Sequence, residues 1–465
     1  MVFSSAIFLL KFLPIVFIAN YVIKDEYSNI LLLIASLVFY AWGEPYLVIL
    51  MIISIIFNWR IGLLIEKKQG TQRKIFLFIG VLLNLCALGY YKYAGFLIST
   101  FNSIVGKEVI SVPQIILPIG ISFFTFQAIS YIADVYKKET EASASIVNVA
   151  LYISFFPQLI AGPIVKYRDI NRQIEQRQIE WSGVAIGFKR FIYGLAKKVL
   201  ISNVLGLCVD SIYACDISII GGKTAWIGAV AYTFQIYYDF SGYSDMAIGL
   251  GKMFGFNIQE NFNYPYLSKS ISEFWRRWHI SLGTWFREYV YIPLGGNRKG
   301  KIRTYINLVI VFFLTGLWHG ADFSFVIWGL YHGFFSIIER LGLRKYLEKS
   351  KIISRVYCLL VVNFGWVLFR AKDTITGMKY IFRMLVPWRY SDASTPIWKW
   401  IDLKTIFIGV CAVAGMGLVQ KLVPSGICDK WKNSVFEAIW CTVLLILCLA
   451  SIASNTYNPF IYFQF

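Results

Sequence analysis

Apolar runs close to the length of a bilayer crossing recur along the chain, separated by short basic clusters, and TYINLVIVFFLTGLW (304–318) is representative. A lipid-exposed segment must satisfy its backbone N–H and C=O groups internally, and in this sequence only helices can do so. A crossing takes about 20 residues, so the runs predict an all-α multi-pass membrane protein with roughly ten to twelve transmembrane or re-entrant helices. Composition agrees: 57% of the 465 residues are hydrophobic and 15% charged, too little polar surface for a soluble protein of this length. Residues 1–465 are read as one membrane-embedded domain.

The opening MVFSSAIFLLKFLPIVFIANYVIKDEY has Lys11 inside its apolar run and no small-residue cleavage site after it, so it reads as an uncleaved first helix. Lysine and arginine number 45 against 26 acidic residues, a net charge of +19. The excess clusters at 60–74, 166–177, 298–303, 339–355 and 421–432, which the positive-inside rule assigns to cytoplasmic loops. It therefore implies a membrane setting and no nucleic-acid partner. The eight cysteines (Cys86, Cys208, Cys215, Cys358, Cys411, Cys428, Cys441 and Cys448) stand singly among apolar neighbours, predicting small buried hydrophobes without disulfides or metal-ligand spacing.

Spans are expected near 75–96, 115–136, 358–369, 406–422 and 438–453. The stretch 147–170 is bounded by basic residues at both ends and interrupted by Pro157 and Gly162-Pro163, which predicts a re-entrant hairpin. In AWIGAVAYTFQIYYDFSGYSDMAIGLGKMFGF (225–256), helical spacing puts Gln235, Asp239, Gly242 and Gly249 on one face with Asp245 on its flank. That face is expected to point inward, either lining a cavity or hydrogen-bonding between helices. Segment 268–291 carries too many charges for a lipid-exposed span. It is expected as one amphipathic or re-entrant helix, with Trp275 and His279 on one face at i and i+4.

Only three histidines occur, His279, His319 and His332, all within a stretch dense in aromatic, arginine and glycine residues. His319 follows Arg303 by 16 residues, roughly 24 Å of helical rise, deep in the hydrocarbon and past its middle. An ionisable ring at that depth is a functional candidate. Neutral imidazole takes a proton from a hydroxyl, as acyl transfer to an alcohol requires, and Trp275, Trp318 or His279 can supply donors to the developing oxyanion. For His279 the simpler alternative is an interface role, and for His332 a hydrogen bond between helices. The spacings suit no metal site.

PIGISFFTFQAISYIADVYKKE (118–139), FPQLIAGPIVKYRDI (156–170), the long stretch 237–300 containing WRRWH, LTGLWHGADFSFVIWGLYHG (314–333) and WVLFRAKD (366–373) together resemble the bacterial membrane-bound O-acyltransferases. Within them the chain is most similar to the branch of alginate O-acetylation proteins and related polysaccharide O-acetylases. The likeness spans nearly the whole chain and is most specific over 237–333. It implies a helical fold around a central tunnel, His319 as the catalytic residue and His279 as a second active-site residue. It further implies no bound cofactor, acetyl-coenzyme A or another acyl thioester as donor, and an extracytoplasmic partner with a serine-hydrolase-like domain that passes acetyl groups to a polysaccharide. Arg276, Arg277 and Lys299 are candidates for the donor's phosphates, with positive-inside anchoring as the alternative. Asp239, Asp245 and Gln235 are candidate lining residues. D-alanyl transfer to teichoic acid, peptidoglycan O-acetylation and a transporter or flippase are the competing functions.

Overall fold

The runs of apolar residues do become helices. In the computed structural model, which describes residues 1–423, 432, 434–454, 457–459 and 461, helices are the regular structure and no strand occurs among the described residues. Cys428 and most of the basic stretch 421–432 lie outside them. Six described helices are long and apolar enough to cross a membrane: Val48–Lys67, Gly70–Val105, Trp181–Tyr213, Lys301–His319, Lys351–Arg370 and Val435–Ser454. Shorter apolar helices occur at Phe8–Val22 and Leu403–Gly417. The protein is an all-α, multi-pass membrane protein. The span expected at 75–96 is longer, 70–105. The one expected at 115–136 starts at Ile121, because Pro118 and the left-handed Gly120 (φ 75°) precede it.

The chain divides into two compact units, residues 1–191 with 244–259 and residues 192–243 with 260–465. In the first unit Ile121–Lys137 is almost entirely buried. It approaches its neighbours closely at Gly62 and Gly80, where a Cβ would lie 2.5 Å from the Tyr131 hydroxyl and 2.7 Å from Ile132. Asn58 and Asn84 exchange side-chain hydrogen bonds of 3.2 and 2.7 Å between two apolar helices, polar glue where water is absent. The segment around Pro157 is interrupted as expected, with helices at Ile146–Ser154, Phe156–Leu159 and Tyr167–Glu175. Side chains occupy the backbone groups this frees: Ser36 accepts from Phe156 N–H at 3.1 Å, Gln158 donates to Tyr152 O at 2.7 Å, and Tyr152 donates to Val165 O at 2.9 Å.

The second unit is built around a tight hairpin of Lys301–His319 and Phe323–Ile338. A Cβ on Gly316 would lie 2.3 Å from Phe325 O, and one on Gly329 would lie 2.3 Å from Phe312 O, so backbone rests on backbone. Asp322 caps the return helix by accepting from Ser324 N–H at 2.7 Å. An aromatic core that includes Tyr266, Phe274, Trp278, Trp328, Trp366 and Phe369 fills the space between the hairpin, Lys351–Arg370 and the helices of segment 268–291.

Candidate active site

Segment 268–291 departs from the single helix expected. It forms two seven-residue helices, Ile271–Arg277 and Ile280–Phe286, with Trp278 extended and His279 left-handed (φ 47°, ψ 54°) between them. The i and i+4 relation of Trp275 and His279 is therefore lost. What makes the break possible is the irregular stretch 261–263. Asn263 N–H donates to Arg277 O at 2.9 Å and Ile280 N–H donates to Asn261 O at 3.0 Å, taking up groups that the interrupted helix leaves open. A non-glycine residue in the left-handed region carries backbone strain, a recurrent property of functional positions.

The first short helix is anchored at its start. Ser270 accepts from Glu273 N–H at 3.0 Å. The buried Glu339 carboxylate accepts from Ile271 N–H at 2.6 Å, from Ser272 N–H at 3.1 Å and from the Ser272 hydroxyl at 2.9 Å. A carboxylate on the otherwise unsatisfied donors of a helix start is well matched in charge and hydrogen bonding. Glu339 closes the helix that bears His332, so one carboxylate ties that helix to the one bearing Trp275 and Arg276.

His279 is buried, with its ring edge-on to Phe240 at 4.7 Å. Its Nδ1 lies 3.2 Å from Asn261 Oδ1, the same oxygen that accepts from Ser281 N–H at 3.1 Å and from the Ser281 hydroxyl at 2.9 Å. Burial pushes its pKa down to about 3, so the ring is neutral. His279 lines a cavity of about 260 Å³ together with Trp275, Arg276, Arg287 and Thr315. The Trp275 indole nitrogen is buried with no hydrogen-bond partner among the described residues.

The three histidines are joined through indoles. Trp318 contacts His279 and His319, with ring centroids 5.9 and 5.0 Å apart. Trp328 contacts His319 at 5.1 Å and His332 at 5.2 Å. His319 is the last residue of its helix, the position that the depth argument placed towards the far end of the span. It is only 7% exposed and packs on Phe369 at 5.4 Å. It is not among the residues lining the 260 Å³ cavity, but Thr315, one turn earlier, is. His332 is enclosed by Trp275, Trp328 and Tyr331, and neither ring nitrogen has a hydrogen-bond partner among the described residues. The hydrogen bond between helices expected as its simpler role does not occur there.

The other candidates scatter. Asp239 is buried in an ion pair with Lys198, and also accepts from the Ser202 hydroxyl at 3.3 Å and Ile461 N–H at 2.9 Å. Gln235 is buried on the same helix, its backbone oxygen accepting from Ser202. Asp245 belongs to the other compact unit, where Arg190 binds it at 2.6 Å. These partners make structural cross-links of the first and last. Arg277 is held by Glu273 at 2.8 Å and by Asn263 O, whereas Arg276 faces the histidine cavity. Lys299 lines a second cavity of about 500 Å³ with Arg298, Arg340 and Arg287, and Arg287 borders both cavities. Asn261, Ser281 and Glu339 were not legible as site residues. Their roles are contacts across sequence with no periodic signal.

Comparison with known proteins identifies the family. Residues 34–375 match the family model described as MBOAT, membrane-bound O-acyltransferase family, a range that contains all three histidines. The chain is 40% identical to the probable alginate O-acetylase of Pseudomonas putida over 493 aligned residues, covering 100% of both proteins. It is 36% identical to the peptidoglycan O-acetyltransferase of Helicobacter pylori, covering 83% of this chain and 80% of that protein. It is 28% identical to the teichoic acid D-alanyltransferase of Bacillus subtilis, covering 55% and 69%. The chain is a membrane-bound acyltransferase and belongs to the membrane-bound O-acyltransferase family.

Proposed function

We propose that this protein moves an acetyl group from a cytoplasmic thioester donor through the membrane for O-acetylation of an extracytoplasmic or cell-envelope polysaccharide, by way of an exported partner with a serine-hydrolase-like domain. The observation that carries the reading is the contact of both His279 and His319 with one indole, Trp318, with His279 on a cavity. In the reaction the acceptor hydroxyl oxygen attacks the thioester carbonyl while His319 takes its proton. The tetrahedral intermediate then expels the thiolate, which recovers that proton as the thiol. The Trp275 N–H is the donor suited to the developing oxyanion.

The donor end is supported by charge. Arg287, Arg298, Lys299 and Arg340 line the 500 Å³ cavity, which shares Arg287 with the histidine cavity. A phosphate-bearing thioester such as acetyl-coenzyme A fits this arrangement, its phosphates at the basic end and its acyl group towards His279. Arg277, committed to Glu273, has no part in it. Similarity to proteins named for alginate and peptidoglycan O-acetylation favours acetyl as the acyl group and a polysaccharide as its destination.

His319→Ala, produced at wild-type level in the membrane, is expected to remove O-acetyl ester from the cell-surface glycan. Retained ester rejects general-base catalysis by His319, and D-alanyl ester in place of acetyl ester in the wild type changes the assigned acyl group. Loss of polymer export with esters intact points instead to transport.

A further inference from the structure

The chemistry of His279 depends on which ring nitrogen carries its proton, and the hydrogen bonds around Asn261 decide this. Ser281 N–H can only donate, and it points at the side-chain atom of Asn261 assigned as Oδ1 at 3.1 Å. An amide NH₂ in that place would set donor against donor, so the atom is the carbonyl oxygen. The Ser281 hydroxyl lies 2.9 Å from the same oxygen and spends its only proton there. It therefore cannot also donate to His279 Nδ1, which lies 3.4 Å from it. Nδ1 itself is 3.2 Å from Asn261 Oδ1. Two lone pairs would repel at that contact, so Nδ1 carries the hydrogen and donates.

We propose that Asn261, backed by Ser281, is a positioning residue that locks His279 as the Nδ1–H tautomer, so that Nε2 enters acyl transfer as an acceptor and never as an oxyanion donor. The proposal rests on the acyl-transfer reading for its catalytic consequence, but the tautomer itself does not. Asn261 acts twice on one residue. Its carbonyl oxygen on the main chain accepts from Ile280 N–H, holding the strained backbone turn at His279, while its side chain sets the ring. The oxyanion donor then falls to Trp275, which lines the same cavity and whose indole nitrogen has no hydrogen-bond partner among the described residues. Nε2 receives the hydrogen bond of the incoming hydroxyl as it docks; the hydroxyl has one proton, so that bond is given up as the proton turns to His319 and the oxygen attacks the carbonyl carbon.

The chain has only three histidines, so protein labelled with ¹⁵N-histidine in lipid nanodiscs gives three imidazoles to resolve, and the loss of one set in His279→Asn assigns the ring. The expected wild-type spectrum has His279 protonated at Nδ1 and unprotonated at Nε2. Asn261→Leu, which removes the acceptor, is expected to abolish that preference and to lower kcat about 100-fold with little change in KM for the donor. Asn261→Asp keeps an acceptor oxygen and is expected to keep the Nδ1–H tautomer and activity within about 10-fold of wild type. A wild-type ring protonated at Nε2 overturns the proposal, as does an unchanged tautomer in Asn261→Leu. If Asn261→Leu does not fold, the wild-type and Asn261→Asp spectra still decide. Protein that shows the Nδ1–H ring yet transfers no acetyl group rejects the function and leaves the tautomer standing.

Discussion

At the scale of single residues, the histidines differ in what surrounds them. His279 has a polar partner that orients it, while His319 is packed among rings. Both His332 nitrogens are buried and lack hydrogen bonds among the described residues. Desolvating such a group without replacing its hydrogen bonds costs about 1–3 kcal/mol. His332→Leu, close in size and apolar, is therefore expected to leave the protein as stable as wild type or about 1 kcal/mol more stable, read as the thermal midpoint in detergent. A clear fall in the midpoint would reveal a hydrogen bond made in the membrane. His279 and His319 stand out as candidates because the sequence confines its histidines to one stretch next to span-length apolar runs. The break at His279 was not, since SISEFWRRWHIS contains no glycine or proline to mark it. The groups that stabilise the break come from Asn261 and Asn263, separate in sequence from the helices they interrupt.

At the scale of elements, the hairpin Lys301–His319 and Phe323–Ile338 fixes where His319 ends up. Its closeness depends on Gly316 and Gly329, at which any side chain would meet main-chain oxygen at 2.3 Å. Backbone cannot rotate away as a side chain can, so the helices must separate. Gly329→Ala is expected to destabilise by about 1–3 kcal/mol and to lower activity by displacing the Trp318–His319 end. An unchanged melting midpoint with full activity would contradict that packing. Helices of this kind are readable from apolar content and small residues. The capping of Ile271–Arg277 by Glu339 is not, because that residue sits in a basic cluster that reads as a cytoplasmic loop. The face of Gly222–Met253 bearing Asp239 and Gln235 was correctly expected to be buried, but burial alone did not reveal whether its carboxylate lines a cavity or is ion-paired. Lys198 settles that as an ion pair.

At the scale of the whole molecule, the proposed transfer from a cytoplasmic donor to an outside acceptor requires the basic surface inside and the histidines reachable through the bilayer. The basic ends of segment 147–170, both assigned to the cytoplasmic face, test the orientation. A single cysteine placed at Arg168 is expected to react with membrane-impermeant maleimide only in inverted vesicles, and labelling of intact cells would reverse the assignment. The central claim is that the His279–Trp318–His319 group performs acyl transfer. Its most direct test is single-turnover transfer of labelled acetyl from acetyl-coenzyme A to an acceptor hydroxyl, measured with purified wild-type and His319→Ala protein in proteoliposomes. The account predicts transfer by wild type and a loss on the order of 100-fold or more in the variant. Equal rates from both proteins would contradict it.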